Sequence, residues 1–554
     1  MADLTAIGSW DLAAVQHFAR RAGFGIGPEA AAALAAQSPG TAVDAWIDGT
    51  GLDTSLFDAV WADRADPVAA PGITASTTVP GSVDVPAVPG PHRYLVDGAE
   101  AWRNDLARGQ ASWAFRMQFH PYAFRERMAL FWHNLFATGW HKVNNVALML
   151  KQIAMLRSHG LDRFDDLLVL VSKDPAMCLW LDSVQNNANG SNVPNENYAR
   201  EVMELYSLGA DNGYNQVDIA QLARALSGWS FTVRAADVAV NPASPNQRVA
   251  ADGLFAVYDG GANPAGADGY AWYNLSQARA TLPDQHGTGT IAFLGQSFDI
   301  ATAPAGMMPG EDAVRSIVAS RPQNCSEFLA NRLLTHFVTA RFTAPDRDDV
   351  AAMIRAQGFD LRAAMKLLLK SRYFFDAAHR FALVEGPVSW TARAARMLGP
   401  ALAPADAASP KGFPSWALVV NPYFDLAGMK LLDPNGPNGW KEDASWLNSN
   451  TIRYRAKLAA AVALAETATT GSPAVKYTLF PTDAAAWFPV PPTSPTEVFD
   501  RLVALLQPAP IPDPVRAAWL AALWPGTFTW DAAGQTRARE LAFLVLCSPA
   551  GQLY

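Results

Sequence analysis

Apolar residues spaced three and four apart recur through almost the whole chain, and that period permits helices and little else. The pattern runs through residues 12–18, 29–34, 102–119, 125–136, 146–159, 164–171 and 196–208. It returns at 217–226, 313–318, 326–337, 348–355, 361–369, 384–397, 451–465, 497–506, 515–523 and 536–546. Strand signals are few and most lie between 230 and 299, in pieces such as Phe231-Thr-Val and Thr290-Ile-Ala-Phe-Leu set among Gly, Asn and Pro. The expected fold class is therefore mainly α: a large multi-helix single body with a loop-rich, small-β insertion around 230–300. Pro67, Pro71, Pro80, Pro86, Pro89 and Pro91 mark a surface excursion over 66–91, and further breaks fall at 399–414 and 480–495. Helices continue on both sides of each break. The 554 residues would make three or four domains of about 150 residues, but this continuity favours one body. Its expected parts are a helical core over 1–398 with irregular insertions at 66–91 and 230–310, and a C-terminal helical part, 399–554, packed on it.

Composition excludes several function classes. Half the residues are apolar and 17% are charged, against about 25% in an average soluble chain, so a large dry core is expected. A net charge of −8 with both signs interspersed makes nucleic acid an unsuitable partner. Cys178, Cys325 and Cys547 form neither a disulfide framework nor a zinc motif. No window reaches the roughly 18 to 20 apolar residues of a membrane span. The N-terminus lacks a basic start and an apolar run, so as written the chain reads as cytoplasmic. Phosphate loops, dinucleotide fingerprints, serine-hydrolase elbows and HExxH are all missing.

The densest polarity lies in DSVQNNANGSNVPNENYAREVMELYSLG, from Asp182 to Gly209. Asn186, Asn187, Asn189, Asn192 and Asn195 crowd a loop that leads into a helix with Glu196 in its first turn. At 100° per residue Asn197, Glu201 and Glu204 share one face, with Arg200 beside them. That face reads either as a solvated stripe with an Arg200–Glu204 pair or as a carboxylate pair in a cleft, able to act as acid and base or to hold a divalent cation. His133 and Asn134 interrupt the aromatic run Phe131–Phe136, which Trp140-His141 follows, so their polar atoms need partners. His133 is either a hydrogen-bonded core residue or a group meeting Glu201 and Glu204 across a helix pair. The helix has Glu-x-x-Glu rather than the repeated Glu-x-x-His of di-iron bundles. Trp140, Trp229, Trp272, Trp440 and Trp446 sit in or beside loops, and Asp433-Pro-Asn-Gly-Pro-Asn-Gly-Trp440 is a turn-rich loop of the kind that rims sites.

These motifs carry a resemblance. Arg20–Gly25, Phe131–Phe136, Pro194-Asn-Glu-Asn-Tyr-Ala-Arg-Glu201 with Met203–Gly209, Ala223–Trp229, His286–Gly295, Pro434–Trp440 and Trp446–Ser449 together resemble the bacterial "domain of unknown function 1800" family over nearly the full length. The resemblance implies a largely helical protein, often exported, commonly encoded beside proteins that look like sulfatases and alkaline phosphatases. Its members usually read His-Asn-His where this chain has His133-Asn134-Leu135. They also carry an Asp and a Lys after the later His, where Gly287 and Ile291 stand here.

Two functions follow as expectations. One is an enzyme, a hydrolase of a glycan or related polar polymer, with Glu201 and Glu204 as acid/base groups and His133 assisting. Asn134, Asp182, Asn195, Asn197, Arg200, Trp229, His286 and Trp440 then bind substrate, and a retaining pair could join one glutamate to Asp182. The other is a non-catalytic helical scaffold that binds a sulfatase- or phosphatase-like protein.

Overall fold

The computed structural model describes residues 1–61, 106–143, 146–188, 193–234, 254–257, 270–272, 287–300, 310–402, 423–470, 475–478, 480 and 482–554. The expected excursion at 66–91 and most of the insertion fall outside them. Among the described residues there are twenty-one α-helices, and the fold is mainly α. Seven short strands make three small antiparallel sheets. Strand Trp229–Arg234 lies between Leu254–Val257 and Tyr270–Trp272. Thr290–Phe293 folds back on Gln296–Asp299 through Leu294 and Gly295, both at positive φ (50° and 82°), as a tight hairpin requires. A third pair, Thr467–Thr470 with Val475–Thr478, follows a helix that ends at Ala463; periodicity alone did not announce it.

Side-chain caps set several helix starts. Asp11 accepts the Ala14 N–H at 2.7 Å, Asp360 that of Ala363 at 2.9 Å, and Asn215 closes a capping box with Asp218. The central helix is Ala123–Leu135. It is buried on almost every side, so it sits inside the body rather than on it. It packs against Val146–His159 and Leu106–Phe119. Its Glu126 is fully buried and fully engaged, accepting from Trp113 Nε1 at 3.0 Å, Arg116 Nε at 3.0 Å and Arg157 Nη2 at 3.0 Å. Burial alone would raise it, but the charges of Arg157 and Arg116 outweigh that and hold the carboxyl at about 2. Buried apolar residues from Ala14 to Leu546 form one connected core.

Both ends of the chain are pinned to this core. Ile7 N–H donates to the Lys370 carbonyl and Arg372 N–H to that of Thr5. At the other end Glu385 N–H donates to Gln552 O, Tyr554 N–H to Leu383 O and Trp390 Nε1 to Gly551 O. Between the two seams lies a layer of buried arginines: Arg20, Arg21, Arg127, Arg393 and Arg455, each no more than 2% exposed. Among the described residues only Arg393 of the five has a carboxylate ion-pair partner, Glu385 at 2.8 Å. Desolvation lowers Arg20 to about 9 and Arg21 to about 10. Eight nitrogens of these five side chains have no close hydrogen-bond partner among the described residues. At about 1 to 3 kcal/mol per orphaned donor, the total would rival the roughly 5 to 15 kcal/mol net stability of a domain. Ring faces offset part of this cost, with Arg20 over Phe381, Arg21 and Arg127 over Tyr554, and Arg455 over Trp390.

Candidate functional site

The Asn-rich loop is held by one buried side chain. Asn186 Oδ1 accepts the Asn195 N–H at 2.9 Å, its Nδ2 donates to Ala223 O at 2.7 Å, and its carbonyl accepts from Gly228 N–H at 2.8 Å. Asn195 Oδ1 then takes the Asn197 N–H at 3.0 Å and starts helix Asn197–Glu204. That helix is shorter than the 196–208 expected, because the N–H groups of Leu208 and Gly209 turn back onto the Met203 carbonyl, with Gly209 at φ 96°. Tyr198, Ala199, Val202 and Met203 face the core, while Asn197, Glu201 and Glu204 lie half-buried on the other side.

The structure corrects one pairing on this face. Arg200 binds Glu196 at 3.0 Å, not Glu204, and Gln216 ties both together at 3.0 and 2.7 Å. Glu201 and Glu204 are thereby left with no hydrogen bond or ion pair among the described residues. Partial burial, then the neighbouring Glu204, raises the Glu201 carboxyl above its ordinary value. Asp182, at φ 59°, closes the face: its Oδ2 accepts from Lys142 Nζ at 2.8 Å and from Asn197 Nδ2 at 3.5 Å.

His133 is elsewhere. It is fully buried between the rings of Trp113 (5.5 Å) and Trp440 (5.4 Å), and desolvation lowers it to about 3 against the opposing pull of Asp433 and Gln152. No hydrogen bond, ion pair or ring contact joins it to Glu201 or Glu204. Its helix presents it to the aromatic core instead. Asn134 Oδ1 accepts the Trp440 N–H at 2.6 Å and so docks the 433–440 loop. Trp440 and Trp229 are 7% and 2% exposed, buried packing rather than open platforms. Leu135 and Ile291, at positions where relatives carry polar groups, are buried in the core. The Gly287 N–H donates to Ser227 Oγ at 2.7 Å. His286, Asn189 and Asn192 lie outside the described residues.

A second histidine, His141, adjoins Lys142, whose ammonium binds Asp182 on this face. Asp433, 5% exposed, accepts from the His141 N–H at 2.9 Å and meets its Nδ1 at 2.6 Å, while its other oxygen takes Lys430 Nζ at 2.8 Å. Burial alone would raise the Asp433 carboxyl, but the bonds from Lys430 and His141 outweigh it and hold it below the usual range. The His141 side chain is 51% exposed. With Nδ1–H donated to Asp433, the neutral ring keeps its lone pair on Nε2. Trp180 stands edge-on at 5.1 Å, and the adjoining Lys142 leads to Asp182, Asn197 and, one turn on, Glu201. Trp140 Nε1, Trp180 Nε1 and Ser183 Oγ are buried here without partners, a concentration of unused donors beside His141. His141 and Asp433 are 292 positions apart, so spacing could not pair them; the signals present were a histidine beside Trp140 and an aspartate opening a rigid loop.

A concavity of about 540 Å³ lies elsewhere, lined by residues such as His159, Asp166, Lys173, Glu311 and Arg315. Its charges largely pair with one another: Lys173 on Glu311, Arg315 on Asp166 and Glu311, and His159 on Asp162. Among the described residues no three His, Cys, Asp or Glu are grouped to hold a metal ion, and no helix is long and apolar enough to cross a membrane. A family model described as "Protein of unknown function (DUF1800)" matches residues 17–553, and the chain belongs to that family. No curated protein and no solved structure matches it.

Proposed function

Starting from membership of a family whose description assigns no activity, we propose that the protein is a hydrolase acting on a glycan or related polar polymer at the face of His141, Asp182, Asn197 and Glu201. The observation that carries this reading is the exposed imidazole held at 2.6 Å by a nearly buried carboxylate, Asp433. A ring so oriented offers Nε2 to take a proton from an attacking water or hydroxyl, and Asp433 stabilises the imidazolium that forms. Glu201, raised by partial burial and by Glu204, is suited to return a proton to the leaving oxygen. Asn197, Asp182 and Lys142 supply polar contacts for a hydroxyl-rich chain. His133 packs on Trp440 and lies within electrostatic reach of Asp433, so it supports the site from behind. The cation reading draws on two adjacent carboxylates alone, a minority of the six to eight oxygens a calcium ion takes.

The test is product release from a panel of polysaccharides by the wild-type protein, His141→Gln and Glu201→Gln. Loss of about 100-fold or more in each variant is expected of acid–base groups. A blank panel for the wild type, or full turnover by both variants, would overturn it. The scaffold reading draws on Val193 and Val217, 85% and 64% exposed on either side of the Glu196–Gln216 contact. Co-purification with a sulfatase- or phosphatase-like protein, lost in Val193→Ser with Val217→Ser, together with a blank panel would favour it.

A further inference from the structure

We propose that a second site, independent of the hydrolase reading, binds a small carboxylate in the cavity between helices Ala123–Leu135 and Pro322–Phe337 and the 440–446 segment. Arg127 supplies the charge. It lines this cavity, is 1% exposed, has no ion pair among the described residues, and leaves Nε and Nη1 without hydrogen-bond partners. Its guanidinium lies 5.0 Å from the centre of the Tyr554 ring, and Arg21 lies 4.3 Å from the same centre, so two buried cations share one ring. His336, which lines the cavity from the facing helix and is 8% exposed, also has an orphaned nitrogen, Nε2.

The carboxylates lining the cavity are already engaged. Glu442 Oε1 lies 2.6 Å from His336 Nδ1, and Asp443 Oδ1 accepts the Val384 N–H at 2.8 Å. The Glu442 carboxylate also faces the charges of Arg332 and Arg127, so what Arg127 leaves unused is a pair of N–H donors, Nε and Nη1. Water can satisfy one N–H group, whereas a carboxylate accepts from two at once through stronger, charge-assisted hydrogen bonds. Size selects the class of anion. The cavity holds about 30 Å³, roughly the share of one or two waters. A planar three-atom carboxylate head needs little more room, while a tetrahedral oxyanion of five heavy atoms needs the walls to open. Those walls include the flat rings of Trp440 and Trp446.

The probe is formate, added to the full chain at constant ionic strength against chloride, with thermal unfolding as the readout. The expected result is a rise in Tm that grows with the logarithm of formate concentration, exceeds that given by inorganic phosphate, and disappears in Arg127→Gln. Crystals soaked in formate should also show density between Arg127 and His336 that chloride-soaked crystals lack, a measurement that stands if Arg127→Gln does not fold. A flat wild-type response, an equal rise in the variant, or a larger effect of phosphate would overturn the assignment.

Discussion

Gly439→Ala tests whether the loop that carries Asp433 is positioned by its contact with the central helix. Gly439 has φ 71°, and a Cβ there would sit 2.1 Å from the Asn134 carbonyl oxygen and 2.5 Å from its Oδ1. The nearer atom is backbone at the end of a buried helix, so no rotamer change relieves the clash and the loop must lift. Lifting breaks the 2.6 Å bond from Trp440 N–H to Asn134 Oδ1 and loosens Trp440 from His133. Left-handed backbone costs a residue with a Cβ about 1 to 2 kcal/mol, and an orphaned buried N–H about 1 to 3 kcal/mol. The expected destabilisation is about 2 to 5 kcal/mol, read as a lower urea midpoint at unchanged slope. Gly439→Asn separates the causes, since asparagine tolerates left-handed backbone but carries the same Cβ. It should recover only a minor part of the loss. A change within about 0.5 kcal/mol for Gly439→Ala, the range of ordinary surface substitutions, would refute the reasoning, and full recovery by Asn would show that backbone strain acts rather than the clash.

Asp174 and Glu385 give two further predictions. Asp174 caps helix Pro175–Trp180 and accepts from Gln152, yet desolvation raises it from 3.8 to about 7. The folded state therefore holds the proton more tightly than the unfolded one, and this group's contribution is full below about pH 4 and is lost as pH rises through about 7. A shift of about three units corresponds to about 4 kcal/mol at most. Asp174→Asn keeps the acceptor without the charge, so urea midpoints should show the variant more stable than wild type at pH 8 and nearly equal at pH 4; the opposite order would exclude the assignment. Glu385→Gln removes the one carboxylate paired with the arginine layer. It should cost about 3 to 5 kcal/mol, and Glu385→Gln combined with Arg393→Met should cost less than Glu385→Gln alone in the same measurement.

Local periodicity made most helices legible, because a core-facing stripe repeats every three or four residues whatever the partner. It reads 164–171 where the helix is Phe164–Lys173, and 361–369 where it is Leu361–Lys370. It failed where the signal is short or shared. Helix Pro39–Asp48 is announced by Ser38 and Pro39 more than by its apolar spacing, and Pro175–Trp180 is too short to show a period. The face of Asn197, Glu201 and Glu204 was also legible, since one helix defines it. The Arg200–Glu204 pairing was not, because Gln216 on the next helix draws Arg200 to Glu196.

The sequence by itself determined the helical class, the absence of common catalytic motifs, the family, and which residues of 197–204 share a face. These properties depend on composition or on neighbours within a turn or two. Only the tertiary structure decided which histidine meets which carboxylate: His133 is enclosed by Trp113 and Trp440, and His141 is aligned by Asp433 from far along the chain. It also gathered arginines from positions 20, 21, 127, 393 and 455 into one buried layer. Such meetings are set by how helices pack in three dimensions, and helical spacing carries no record of the partner across the interface.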